Sequence, residues 1–267
     1  MTEIFTYPFM RETLAMGVLL GLLFSLMGVF VVTRGMAFFS DFVAHSAILG
    51  GALAGVAGIE STWFLVPFSL AVAFAVAAVW QAMPLSRDSV LGVFYGGAVG
   101  LGVVIISARG LSPQSVTQLL FGDILLISRA DIWLALALAV GFGSFVGLRL
   151  RQLVKVTFIP EIAEAEGLST RAYDRALIAL MAVTIALSIK LVGVLLANAM
   201  VVIPAATAKM LSRSFGQFLV LAPVIGVASF TLGIALAFHL DLPTGPSVVV
   251  TAFAIFLAAL PIKGLLK

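Results

Sequence analysis

Long apolar runs separated by short polar clusters recur along the whole of this chain. Crossing the hydrocarbon core of a bilayer takes roughly 20 mostly apolar residues, and such runs occur near 13–33, 38–58, 62–82, 89–108, 131–149, 174–192, 193–208, 215–238 and 245–262. That pattern predicts nine spans, or eight if the closely spaced pair within 174–208 counts as one. Backbone polar groups in lipid must be paired within their own segment, so each span is expected to be helical. A further apolar stretch, QLLFGDILLIS (118–128), is too short to cross and is interrupted by Gly122 and Asp123. It reads as a re-entrant or interfacial piece. The expected fold is all-α: a polytopic transmembrane helical bundle forming one domain over residues 1–267.

Glycines fall at four-residue spacing in several spans, at Gly17/Gly21, Gly51/Gly55, Gly92/Gly96/Gly100 and Gly143/Gly147. On a helix this spacing makes a face that lets backbones approach closely. General bundle packing accounts for it, as would a subunit interface or faces that slide past one another. One stretch alone has the polarity of a soluble protein: RLRQLVKVTFIPEIAEAEGLSTRAYDR (149–175). Pro160 suits the first turn of a helix, and Glu161 and Glu164 complement the positive end of its dipole. Gly167 is a natural stop, and Ser169–Thr170 begin the next helix. The short amphipathic helix is either a capped connector or a docking element for a soluble partner.

Composition then fixes the class. The chain is 62% hydrophobic and 10% charged, whereas soluble domains carry roughly 25% charged residues. Its net charge of +3 follows from where the basic residues sit and gives no nucleic-acid face. With the N-terminus outside, eleven of the fifteen basic residues fall on inner loops. Arg11, Arg109, Arg129 and Lys190 remain outside, so the positive-inside rule predicts the N-terminus out and the C-terminus in. The start, MTEIFTYPFMRE, lacks the basic region of a signal peptide, so the first helix is expected to be retained. There is no cysteine, which excludes thiolate metal sites and disulfides. Neither a G-x-x-x-x-G-K-[ST] phosphate loop, nor G-x-S-x-G, nor H-E-x-x-H is present.

Against this background MAFFSDFVAHSAILGG (36–51) stands out. An ionisable side chain at the bilayer centre costs roughly 2.5–3.5 kcal/mol on insertion scales. Asp41 and His45, at i and i+4, share a helix face. A carboxylate oxygen and an imidazole nitrogen suit zinc, manganese or iron without choosing among them. Two donors make a weak site, but a two-fold dimer with its pathway on the axis would supply four. The plainer alternatives are a local ion pair or an N-cap from Ser40 or Asp41. Other polar intruders are Asp123, Lys190, Asn198 and the HLDLPTGP turn (239–246), where His239 and Asp241 form a solvated turn or a site admitting the ion. Pro204 is expected to kink the helix carrying Asn198.

In order along the chain, FFSDFVAHSAILG (38–50), DSVLGVFYGGAVGLGV (88–103), LLFGD (119–123), FIPEIAEAEGL (158–168), VIPAATA (202–208) and DLPTGPSVVV (241–250) resemble one family. It is that of the membrane permease subunits of bacterial zinc, manganese and iron ABC importers, the high-affinity zinc type most closely. The resemblance implies a permease homodimer in the inner membrane, two ATPase subunits beneath it, and an extracytoplasmic solute-binding protein that delivers the metal. Catalysis would belong to the ATPase, and no cofactor would be held permanently. The resemblance assigns Asp41 and His45 to the translocation pathway as metal ligands. It assigns 158–168, with Pro160, Glu161, Glu164 and Gly167, to the segment coupled to the ATPase. It carries nothing onto His239, which is not expected there. Outside this family, an ATPase-independent metal transporter or channel, or a metalloenzyme with His239 as a third ligand, would also use the Asp41–His45 pair.

Overall fold

Residues 13–33 carry no charge, and in lipid their backbone is satisfied only as a helix; in the computed structural model they lie in α1 (Pro8–Thr33). Residues 8–58, 61–108 and 128–265 are described. Helix α2 (Phe39–Ala57) is followed by α3 (Ser61–Ala82) and α4 (Arg87–Ala108). Helix α5 (Arg129–Phe158) starts on a Ser128–Asp131 exchange, in which Ser128 Oγ and backbone N–H donate to the Asp131 carboxylate and Asp131 N–H donates to Ser128 Oγ. This reciprocal cap satisfies amide groups that a helix start leaves open. Then come α6 (Pro160–Ala165), α7 (Thr170–Leu211), α8 (Phe215–Leu240) and α9 (Thr244–Leu265). Ser214 caps α8 by accepting from the Gln217 N–H.

Among the described residues eight segments suffice, by length and composition, to cross a membrane: α1, α2, α4, α5, each half of α7, α8 and α9. The apolar part of α3, Phe64–Trp80, is shorter. Even so, α3 pairs with α2 along its length. Phe39 meets Trp80 near one end, at 6.4 Å between ring centroids. Gly50 lies so close to Phe68 farther along that a Cβ there would be 2.6 Å from the ring. The predicted spans 174–192 and 193–208 are the two halves of α7, divided at Gly193, where φ 78° and ψ 167° are not helical. Pro204, where a kink was expected, lies inside the second half of α7 with helical φ and ψ, whereas the Gly193 conformation leaves the helical region altogether. The predicted re-entrant piece, with Asp123, lies outside the described residues.

The chain divides into two units. One gathers α1, the start of α5, the second half of α7, α8 and α9. Here the Gly17/Gly21 face does the packing expected of it. A Cβ on Gly21 would stand 3.0 Å from the Gly226 carbonyl of α8, and one on Gly28 would collide with the Val201 carbonyl of α7. Around Gly51/Gly55, Gly92/Gly96/Gly100 and Gly143/Gly147, by contrast, there is open space.

The other unit gathers α2, α3, α4, the end of α5, α6 and the start of α7. At one end of it the loops meet. The Phe38 N–H donates to Asp88 Oδ1 at 3.2 Å, and Arg87 reaches the Met36 sulfur and the Trp80 ring. Arg34 donates through Nε and Nη2 to Thr157 Oγ1 at 3.2 and 2.9 Å and pairs through Nη1 with the Asp174 carboxylate. The connections α1–α2, α3–α4 and α5–α7 therefore lie at one end, and α2 and α3 run out from it and back.

Candidate metal site and docking segment

Helix α2 starts at Phe39, with Phe38 in the cap position and no side-chain cap bond. The N-cap alternative for Ser40 and Asp41 is therefore not what forms: both are inside the helix. Asp41 lies in the first turn, where the helix dipole favours a carboxylate. His45 follows one turn on, and its Nδ1 is 2.9 Å from the Asp41 backbone oxygen and 3.4 Å from Asp41 Oδ1. Because a carbonyl oxygen only accepts, the Nδ1 contact requires the proton on Nδ1. The Nε2 lone pair, on the other side of the ring, is then left for a metal. Such fixing of the tautomer by a partner of the second nitrogen is how ligating histidines are oriented.

Both side chains are largely buried. The His45 side chain is 14% exposed and that of Asp41 19%. Tyr95 of α4 stands edge-on to the imidazole, with ring centroids 4.7 Å apart at 80°. One turn away Phe42 meets Phe94 in the same manner. Tyr95 was not singled out from the sequence. Its signal was faint: one phenol between Phe94 and two glycines in a span that is otherwise mostly small and aliphatic. Among the described residues no three His, Asp or Glu side chains gather to hold a metal ion. His239 and Asp241 are exposed at the end of α8, where Asp241 takes a left-handed cap conformation.

The predicted amphipathic helix is α6, with Pro160 in its first turn and Glu161 beside it. Gly167, at φ 79°, ends it. The Gly167 N–H donates to the Glu164 carbonyl and the Leu168 N–H to the Ala163 carbonyl, both at 2.9 Å, which is the paired bonding of a Schellman stop. Lys155 Nζ grips both Glu166 carboxylate oxygens at 2.7 and 2.5 Å, and Thr170 donates to Glu164 Oε1 at 2.6 Å. These contacts close α6 into a hairpin between α5 and α7. Ala163 is buried while Ile159 and Ile162 are exposed.

The sequence profile of the ABC 3 transport family matches residues 6–263. The chain is 32% identical to the high-affinity zinc uptake system membrane protein ZnuB of Haemophilus influenzae, over 95% of this chain and 97% of that protein. It is 31% identical to the chelated iron transport system membrane protein YfeD of Yersinia pestis, over 97% and 87%. With the manganese transport system membrane protein MntC of Listeria monocytogenes the identity is 28%, over 97% and 94%. Its fold is similar to that of the structure of PsaBC from Streptococcus pneumoniae in complex with Fab, with a TM-score of 0.82 over 97% of this chain and 94% of that one at 23% identity.

Proposed function

Since the chain belongs to the ABC 3 transport family, we propose that it is the multi-pass permease of an importer that moves a divalent transition metal, zinc foremost, across the bacterial inner membrane. Manganese and iron are the alternative substrates, for which other relatives are named. The observation that carries the reading is the Asp41–His45 pair, an oxygen and a nitrogen donor held in a membrane helix with Nε2 free. A structural zinc site closes around four ligands, and one copy offers two. A homodimer with the pair facing its axis supplies four, each pair gripping loosely, as suits an ion that must be released. The metal is cargo, and no resident cofactor belongs to the proposal.

The remaining parts follow the same reading. Two separate ATPase subunits hydrolyse ATP and dock against α6, using Ile159, Ile162, Glu161 and Glu164, with Pro160 and Gly167 shaping the segment. An extracytoplasmic solute-binding protein delivers the ion. The end of this unit where the α1–α2, α3–α4 and α5–α7 loops meet is assigned to the cytoplasm, since Arg34, Arg87 and Lys155 lie in or beside those loops. Helix α3 then crosses, giving nine spans with the N-terminus outside and the C-terminus inside. His239 and Asp241 belong to a solvated turn.

The test is metal uptake by cells whose zinc supply depends on this system. Asp41→Ala and His45→Ala are each expected to abolish uptake while the permease still dimerises and co-purifies with its ATPase. Wild-type uptake by either variant would return the pair to a structural role.

A further inference from the structure

A movement at α6 must reach α2 if ATP is to drive the Asp41–His45 pair, and a buried arginine lies between them. The Arg34 side chain is 3% exposed. Its guanidinium donates to Thr157 Oγ1 on one edge and pairs with Asp174 on another. Thr157 is in the last turn of α5 and Asp174 is the fifth residue of α7, just past its first turn, so one planar group holds both stems of the α6 hairpin. On its other side Arg34 leads into α2 through residues 35–38 alone. That short connection is itself tied down, by the Phe39 N–H on the Met36 carbonyl and the Phe38 N–H on Asp88.

We propose that Arg34 is a positioning residue that couples the α6 hairpin to α2, passing displacement of the hairpin through Thr157 and Asp174 to the helix that carries Asp41 and His45. The inference rests on reading α6 as the docking segment. Arginine fits the task because its fork presents several donors in fixed directions, which a lysine ammonium does not. Removing Asp174 would leave the buried Arg34 charge without compensation, so hairpin and α2 are held together in whichever position the hairpin takes. Burial lowers the Arg34 pKa from its ordinary value, Asp174 offsets the drop and Arg87 adds to it. The guanidinium nonetheless stays charged across the working pH range.

The experiment uses the full transporter, reconstituted with its ATPase and solute-binding protein, and reads zinc moved per ATP hydrolysed. Arg34→Ala is expected to lower that ratio about tenfold, within the range that coupling residues command, with ATPase co-purification and basal hydrolysis kept. Arg34→Lys should recover part of the loss. Asp174→Ala should match Arg34→Ala, and the double variant should be no worse than either single one. Additive losses, or an unchanged ratio in Arg34→Ala, would overturn the proposal. If Arg34→Ala fails to reach the membrane, Thr157→Val decides, because it keeps the ion pair and removes only the hydroxyl: a lowered ratio supports the link and an unchanged one ends it. Glu164→Lys separates the two claims. Loss of ATPase binding there, with normal coupling in Arg34→Ala, sinks the Arg34 link alone. Normal ATPase binding and coupling in Glu164→Lys sinks the docking reading beneath it.

Discussion

A hydrogen bond from His45 Nδ1 to the Asp41 carbonyl oxygen leaves Nε2 as the only ring nitrogen able to ligate, and this makes a distinction between two amide replacements. A glutamine at 45 can present its amide oxygen near the position of Nε2; an asparagine reaches only as far as Nδ1. His45→Gln is therefore expected to retain uptake reduced by roughly 10- to 100-fold, the scale on which altered ligand shells lower metal affinity. His45→Asn is expected to retain none. Equal loss in both, measured as initial uptake rates, would contradict the Nε2 assignment. The contact of Tyr95 with the imidazole is made by the ring, and such aromatic pairs contribute about 0.5–1.5 kcal/mol. Tyr95→Phe should leave zinc affinity unchanged and Tyr95→Ala should weaken it several-fold. If Tyr95→Phe proves as harmful as Tyr95→Ala, the hydroxyl is the working part. Asp41 and His45 were legible in the sequence because ionisable groups in a span are rare. Tyr95 was not, since a phenol in an apolar helix breaks no rule until its neighbour is known.

Helices are where the sequence was most readable, and α6 shows why. Pro160, Glu161 and Gly167 are local signals, acting within one turn of themselves, so no tertiary knowledge was needed to place them. Gly167 holds φ 79°, and a side chain in that left-handed region costs roughly 1–2 kcal/mol. Gly167→Val is expected to distort the Schellman stop and lower ATP-coupled uptake while spans and membrane insertion stay intact; undiminished coupling would show that the hairpin tolerates reshaping. In α7 Pro204, where a kink was expected, lies inside the helix, and the break falls where the apolar runs divide, at Gly193. Its φ 78° and ψ 167° lie in a region that is essentially glycine's own. Gly193→Ala is expected to lower the thermal stability of the detergent-solubilised protein more than an alanine at the open Gly97 does, and a smaller drop would place the break elsewhere.

Across the whole molecule, span number followed from the length of apolar runs, whereas side-to-side order did not. The α1–α2 loop and the α6 hairpin are joined by Arg34 and Asp174, which are 140 positions apart, a pairing that no local pattern announces. Likewise the four glycine series look equivalent in sequence, but Gly17/Gly21 packs against α8 while the others face open space. As an assembly, the chain is proposed to pass zinc when a separate ATPase drives it. The most direct test is labelled-zinc uptake into liposomes containing the permease, with and without its ATPase and solute-binding protein, and with excess unlabelled manganese or iron as competitor. Zinc is expected to accumulate only when ATPase, binding protein and ATP are all present, with little displacement by manganese or iron, and not at all in His45→Ala. Zinc flux through the permease alone, or accumulation of manganese in preference to zinc, would contradict this proposal.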